Sequence, residues 1–462
     1  MSTLLVSMSV VCLAAGPMAD LSSQVQERQV TLEPHNHMLD NNDNFSPDNE
    51  YLCYDTRETV GPGIENSQAI EKVEIESGEE TVLLEATKSI IGVQAAPGIG
   101  AVSYNPSANH VVFIHGPLLE EVPVRGFYGK PNRRGGYVPD DGSRKLTWVD
   151  YRDVATERDT LPGAHRGGTH RHEFTHDGSR IGFTYDDFLM PEYGRTVGFM
   201  MPHADAPGDA THYFALLVRP VPMGTAKPGE IEDARHDSWI GREGLMRAFV
   251  GKVRNDDGET YEESLFVIDV PANIDITTAD SGSADRYPTP PEGLTIRRLT
   301  HDWATGVVRG TLEGDRIAYY AKDVNDLDQI FIIPSDGSDQ SDNPAKRPVQ
   351  ATDLPDGAGP GLRWHPSGNS IACMSDNGIV VTCVKPGPLF GKSAWLTKHG
   401  EKPVRDQLVW SYDGKTMAYC RPVRYKDAQG DGVTMYNGAD PTQIFVIEFP
   451  DANGDGIVDG LE

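Results

Sequence analysis

The sequence predicts an all-β chain folded as a seven-bladed β-propeller, and two observations carry the prediction. The 48 Gly and 33 Pro among 462 residues are spread along the whole length, which suits many short strands and turns better than long helices. One hairpin pattern then recurs six times, with room for a seventh. The chain exceeds the usual size of a single simple core, and a repeat fold accommodates that length.

In chain order the repeats are FSPDNEYLCYD from Phe45, YNPSANHVVFIHG from Tyr104, FTHDGSRIGFTYDD from Phe174, GTLEGDRIAYYAKD from Gly310, WHPSGNSIACMSDNG from Trp364 and WSYDGKTMAYCRP from Trp410. Each opens on an aromatic residue, Gly310 excepted. A first strand ends there, a polar turn reverses the chain, and a second strand buries alternate side chains. Four positions past the turn's Asp, Ser or Glu stands an apolar residue: Leu52, Val111, Ile181, Ile317, Ile371 or Met417. The wide interval between Asp177 and Glu313 leaves room for one unmarked unit, which Met246 to Pro271 fills. Units of roughly four strands at such spacings are the blades of a propeller.

Residues 28–450 are therefore assigned to the propeller. Residues 1–27 read as a signal peptide or N-terminal extension, and 451–462 as an acidic, calcium-loop-like tail. Leu4 to Ala15 is apolar and AAGPMA supplies small residues for cleavage, which predicts a periplasmic or secreted protein. No Lys or Arg precedes that run, and a start at Met18 would instead make the protein cytoplasmic. Asp275 to Gly293, polar and Pro/Ser-rich, reads as an interblade loop. Pro123 to Lys145 reads as a long basic insertion of the kind that carries ligand contacts or simply covers surface.

Net charge is -28, which repels phosphate backbones, and no basic stripe interleaved with aromatics offsets it, so nucleic acid is excluded as a partner. No later stretch is long and apolar enough to span a bilayer, so the mature chain has no integral membrane segment. A monomer is expected. Cys53, Cys373, Cys383 and Cys420 lie inside strand-like apolar runs and read as small core residues.

FSPD-x-x-x-L and its relatives resemble the repeat of the TolB-like propellers, the PD40 or WD40-like group. DTRETVGPGIE, SYNPSANHVVFIHGP and HRGGTHRHEFTHDGSRIGFTYDD more specifically resemble the bacterial family DUF3748, a resemblance that implies the fold and no reaction. More distantly, the paired histidines before the first repeat and the HE-x-x-x-DG-x-x-IG pattern are similar to parts of the oligogalacturonate lyases. That likeness implies a histidine-rich manganese site and β-elimination of oligouronides.

The residues themselves offer two metal candidates. His170 and His172 alternate with Arg171 and Glu173, so in an extended strand both share a face with Phe174. His35 and His37 form a second such pair. Neutral imidazoles suit Mn, Fe, Ni or Zn, and the same histidines could instead hydrogen-bond between blades. His176 stands where other repeats carry Pro47, Pro106 and Pro366 and reads as structural. His115 is a candidate base or, more simply, a strand cap, and Arg166, Arg171, Arg309 and Arg363 are candidate holders of a carboxylate. The C-terminal DANGDGIVDGLE satisfies D-x-[DN]-x-[DN]-G-x5-E in full. Asp451, Asn453, Asp455, the Ile457 carbonyl, Asp459 and Glu462 are the candidate Ca2+ ligands, and an Asp/Asn/Gly-rich free tail is the plainer reading. Phosphate loops, dinucleotide fingerprints and the G-x-S-x-G elbow are absent from the sequence. Two functions follow: a non-catalytic binding propeller for a protein or glycan, or a metal-dependent lyase acting on uronate oligomers.

Overall fold

The computed structural model describes residues 18–40, 43–57, 63–301, 303–400, 404–426, 432–433 and 438–461. Among the described residues seven blade sheets follow one another along the chain, and a two-stranded ribbon, Tyr425–Lys426 with Gly432–Val433, extends from the seventh. Blade one holds Tyr51–Asp55, Ala69–Glu74 and Glu80–Glu85, with its inner edge made by bridges Met38–Asp55 and Phe45–Leu52. Blade two runs from Ile99–Asn105 through Ala108–His115 and Arg134–Pro139 to Thr147–Trp148. Blade three holds Gly168–Phe174, Ile181–Asp186, Thr196–Pro202 and His212–Leu216. Blade four holds Ile231–Ile240, Met246–Arg254, Tyr261–Asp269 and Thr295–Arg298. Blade five holds Thr305–Gly310, Arg316–Lys322, Asp328–Pro334 and Val349–Gln350. Blade six holds Arg363–Trp364, Ser370–Ser375, Gly378–Cys383 and Ser393–Trp395. Blade seven holds Asp406–Trp410, Thr416–Pro422 and Thr442–Glu448. First strands of successive blades touch one another, so they line a central channel.

The six quoted motifs are the first hairpins of blades one, two, three, five, six and seven, and Met246 to Pro271 supplies the middle strands of blade four. Their turns are stabilised locally. In blade seven Asp413 Oδ1 accepts from Ser411 Oγ and the Lys415 amide, and in blade three Asp177 Oδ1 accepts from Thr175 Oγ1 and the Ser179 amide. Such side-chain-to-backbone bonds hold a turn without help from the rest of the fold, which is why the motif recurs.

Closure comes from the N-terminal side. Arg28–Gln29 pairs antiparallel with Thr442–Glu448 as the fourth strand of blade seven, and Ala19–Asp20 adds a parallel fifth strand to blade six. Strand pairing thus begins before residue 28. Two loop assignments also change. Asp275 to Gly293 lies within blade four, between its third and fourth strands, and is not an interblade loop. Pro123 to Lys145 is only partly an insertion, because Arg134–Pro139 is the third strand of blade two. Cys53, Cys373, Cys383 and Cys420 are free and buried.

The inner strands are not regular. Ala101, Arg171, His236 and Gln407 have φ between 58° and 59°, and the pairing register shifts around each of them. A β-bulge inserts one residue, bends the strand and resets which side chains face which way. Such shifts recur in blades two, three, four, five and seven, with Gly306 at that of blade five, so the two-residue period breaks beside the channel.

Candidate functional site

The bulge in blade three delivers Glu173 into the space between blades three, four and five. Its carboxylate accepts from Ser238 Oγ at 2.7 Å, the Trp239 amide at 3.1 Å, Arg247 Nη1 at 3.1 Å and Arg309 Nη1 at 3.2 Å. Arg247 also reaches Asp237 Oδ2 at 2.7 Å through Nε. It can lie flat only because the second strand of blade three carries Gly182, where a Cβ would stand 1.9 Å from Arg247 Nη1. Trp239 Nε1 donates to the Glu173 carbonyl and Trp364 Nε1 to the Arg309 carbonyl, so one indole joins blade four to three and another joins six to five.

Around this network lies a cavity of about 130 Å³ at the hairpin-turn end of the channel. Phe174, Trp239, Trp364, Trp410 and Tyr412 contribute aromatic walls, and Asp43, Glu173, Arg309 and Arg363 contribute charge. His176 of blade three and Tyr412 of blade seven meet edge to face, 5.9 Å between centroids, and narrow the mouth. Burial raises the Asp43 carboxyl to about 6, against the opposing pull of Arg363. Burial likewise lowers Arg363 to about 10. Among the described residues, Trp410 Nε1 and Tyr412 Oη are buried donors with no hydrogen-bond partner. The chamber therefore presents donors, and its chemistry suits an acceptor-rich, oxyanion-bearing molecule.

A larger cavity of about 380 Å³ lies among blades five, six and seven, lined by Asp326, Asp328, Asp356, Asp376 and Asp406 with Lys322 and Arg405. It lacks the aromatic walls of the channel.

The structure separates the two predicted histidine pairs. His170 and His172 do not form a simple alternating pair, because the bulge at Arg171 shifts the register between His170 and Glu173. The His172 imidazole packs over Gly135 of blade two, where a Cβ would lie 2.8 Å from Nε2, and meets Thr169 Oγ1 at 3.1 Å. Burial lowers it to about 4. His170 is likewise held neutral by burial and by Arg133 and other guanidinium groups. Among the described residues, the single group of three or more His, Cys, Asp and Glu side chains spaced to share a metal is His35, His37 and Glu80. These lie at the seam between blades seven and one.

Other candidates resolve individually. His115 ends a strand, with Nδ1 against the Gly116 carbonyl. Arg166 is wholly buried, paired with Asp187 and bonded to the carbonyls of Ser283 and Arg286, so it fastens the blade-four loop. Arg309 and Arg363 stand in the chamber, and Arg171 reaches towards the Asp237 carbonyl. The C-terminal segment is docked and is not a free tail. Ile457, Val458 and Leu461 pack with Trp410 and Phe449, and Ser370 Oγ donates to the Gly456 carbonyl. Asp451 accepts from the amides of Gly454, Asp455 and Gly456, Asn453 accepts from Asp455, and Asp459 accepts from Ala452. Glu462 lies outside the described residues, as does the leader-like run from Leu4 to Ala15.

Sequence reasoning passed over Glu71, Glu80 and the role of Glu173. One signal was available for the last. Glu173, Arg309 and Arg363 each immediately precede the residue that opens a repeat, so three blades carry a charge at one equivalent position. No helix among the described residues is long and apolar enough to cross a membrane.

Residues 98–208 match the family described as a protein of unknown function, DUF3748. The chain is 30% identical over 423 residues to the uncharacterized protein YidR of Escherichia coli K12, covering 85% of this chain and 94% of YidR. Among solved structures, a putative TolB from Agrobacterium tumefaciens is 12% identical, covering 81% of this chain and 95% of that one with a TM-score of 0.36. The periplasmic gluconolactonase PpgL of Pseudomonas aeruginosa is 14% identical, covering 82% and 96% with a TM-score of 0.42.

Proposed function

The chain belongs to the family of YidR and DUF3748, and from that premise we propose that it is a non-catalytic binding propeller whose channel takes a small acidic saccharide. Of the protein and glycan ligands left open by the sequence, the chamber favours the glycan. Its carrying feature is the pairing of aromatic walls with unsatisfied donors, Trp410 Nε1 and Tyr412 Oη, above Arg309 and Arg363. Aromatic faces stack on the apolar faces of sugar rings, guanidinium groups fork onto carboxylates, and Asp43 and Glu173 accept from hydroxyls or hold the guanidinium groups in place. A cavity of about 130 Å³ suits one sugar unit, with any longer chain leaving past His176 and Tyr412.

Calorimetric titration of the full chain with galacturonate, glucuronate and their neutral counterparts tests this. Saturable binding of the uronates alone is expected. Tyr412→Phe should weaken it about three- to tenfold, the worth of one hydrogen bond. Absence of uronate binding, or equal binding of neutral sugars, removes the acidic-saccharide reading. Ultraviolet-absorbing unsaturated products from oligouronides would replace binding with elimination, the lyase alternative.

A further inference from the structure

Three metal-ligating side chains that the channel does not use, His35, His37 and Glu80, converge where blade seven meets blade one, with Glu71 beside His35. His37 Nε2 lies 3.1 Å from Glu80 Oε2, and His35 Nε2 lies 3.6 Å from the same oxygen and 3.8 Å from Glu71 Oε2. An ion bound tetrahedrally at about 2.0–2.1 Å holds its ligand atoms roughly 3.4 Å apart. These separations bracket that edge.

The hydrogen positions reinforce the spacing. His37 Nδ1 lies 3.3 Å from the Thr442 carbonyl oxygen, and His35 Nδ1 lies 3.2 Å from that of Asn36. A carbonyl only accepts, so each Nδ1 carries a hydrogen, and in the neutral ring each Nε2 presents a lone pair. The Glu80 carboxylate presents lone pairs as well. Acceptor facing acceptor at 3.1 Å needs a cation or a proton between them. Tyr54 Oη donates to Glu71 Oε2 at 2.8 Å or Glu80 Oε2 at 3.1 Å, but its single hydrogen satisfies one at a time. A carbonyl behind each imidazole and a hydroxyl behind the carboxylates is the outer arrangement by which metal sites orient their ligands.

We propose that His35, His37 and Glu80 bind one divalent first-row transition-metal ion, which locks the N-terminal segment into the ring. Mixed imidazole and carboxylate donors suit zinc, manganese, iron or cobalt. The segment carrying the histidines is already tied to blade seven on one side. The His37 amide donates to the Thr442 carbonyl, Asn36 Oδ1 accepts from the Thr442 amide, and Gln443 Nε2 donates to the Glu33 and His35 carbonyls. On the other side, where the Met38–Asp55 bridge already joins it to blade one, the ion would add a link to Glu80 on the third strand. The His35 side chain, 39% exposed, gives the ion a route in, while His37 is fully buried. Three protein ligands leave one position of a tetrahedron for water or for Glu71 beside His35. Only the folded chain assembles the three, so binding stabilises the fold.

The test uses the full chain, stripped with chelator, dialysed and titrated with Zn2+, Mn2+ or Co2+. One ion per chain is expected, with a rise in the thermal midpoint and, for Co2+, visible ligand-field bands. His35→Ala, at a half-exposed position, should fold and lose the ion and the rise together, as should Glu80→Gln. Asp451→Ala, in the C-terminal loop, should keep both. Lack of saturable binding, or undiminished binding by a folded His35→Ala chain, overturns the assignment and leaves the cluster as a protonated imidazole–carboxylate pair.

Discussion

The junction of blades three, four and five and the seam of blades seven and one solve the same problem with different materials. At the first, neighbours in sequence are joined by one buried carboxylate, Glu173, fanning onto Arg247, Arg309 and Ser238. At the second, the two ends of the propeller must find each other. That join uses a strand from the far end of the chain, the Thr31–Gln443 hydrogen bond at 2.8 Å, and Glu27 bonded to Arg405 and Tyr419. An internal junction relies on buried charge because its partners are held together by short connections. The C-terminal strands of blade seven have no such connection to the N-terminal strand that closes them, and loop-closure entropy opposes the pairing, so that join collects many polar contacts between distant residues.

Breaking the internal junction should cost most. Glu173→Ala leaves Arg309 and Arg247 short of a partner in a buried setting, and loss of one member of such a pair costs about 3–5 kcal/mol. Urea unfolding should show the midpoint fall. Isosteric Glu173→Gln, which keeps the Ser238 and Trp239 bonds within reach, should lose less. The same measurement on Glu27→Ala should give about 1–2 kcal/mol, the loss of charge-assisted hydrogen bonds at a partly exposed position. Burial alone would raise the Glu27 carboxyl, but hydrogen bonds from Arg405 and Tyr419 hold it below the ordinary value. Its contribution is therefore present above the unfolded carboxylate pKa and disappears as pH falls through the lower folded value. Stability curves of wild type and Glu27→Ala should converge in acid, and a constant gap would show that the charge is not what matters.

Asp43 has the opposite sign. Its folded pKa is raised to about 6 by burial, so the wild type should lose stability relative to Asp43→Asn as pH rises from about 4 to about 6, and hold a steady difference above that. A pH series of thermal melts on the two chains reads this directly. The smallest effect concerns the C-terminal loop. We expect Ca2+ at millimolar levels, the range of weak extracellular sites, to raise the thermal midpoint slightly and to do so no longer in Asp451→Ala.

Legibility in the sequence followed the range of the interactions. The six marked hairpins were readable because Asp48, Asp177 and Asp413 close their turns on residues two positions away. The unmarked blade was located by its interval and its two middle strands, since its own turn, after Trp239 and Ile240, lacks that aspartate. The bulges were invisible because Arg171 and His236 enter the left-handed region without the glycine that usually announces it. That hid the separation of His170 from His172. His35 and His37 were visible as a pair, but Glu71, Glu80 and Thr442 come from strands that pairing rules cannot place beside them in one sequence. The closing strand at Arg28–Gln29 was hidden for the same reason: two residues carry no period.

Leu21 shares an apolar cluster with Ile457, Val458 and Leu461, so the beginning and the end of the described chain lie side by side beneath blades six and seven. A ring whose ends are neighbours has no preferred point of opening. Linking residues 18 and 461 through a short flexible spacer and cutting at the exposed turn after Gly258 would make blade four the seam while leaving the order of blades around the axis unchanged. Such a permuted chain would hold every blade interface described above and would move the burden of closure from a polar splice to a continuous backbone.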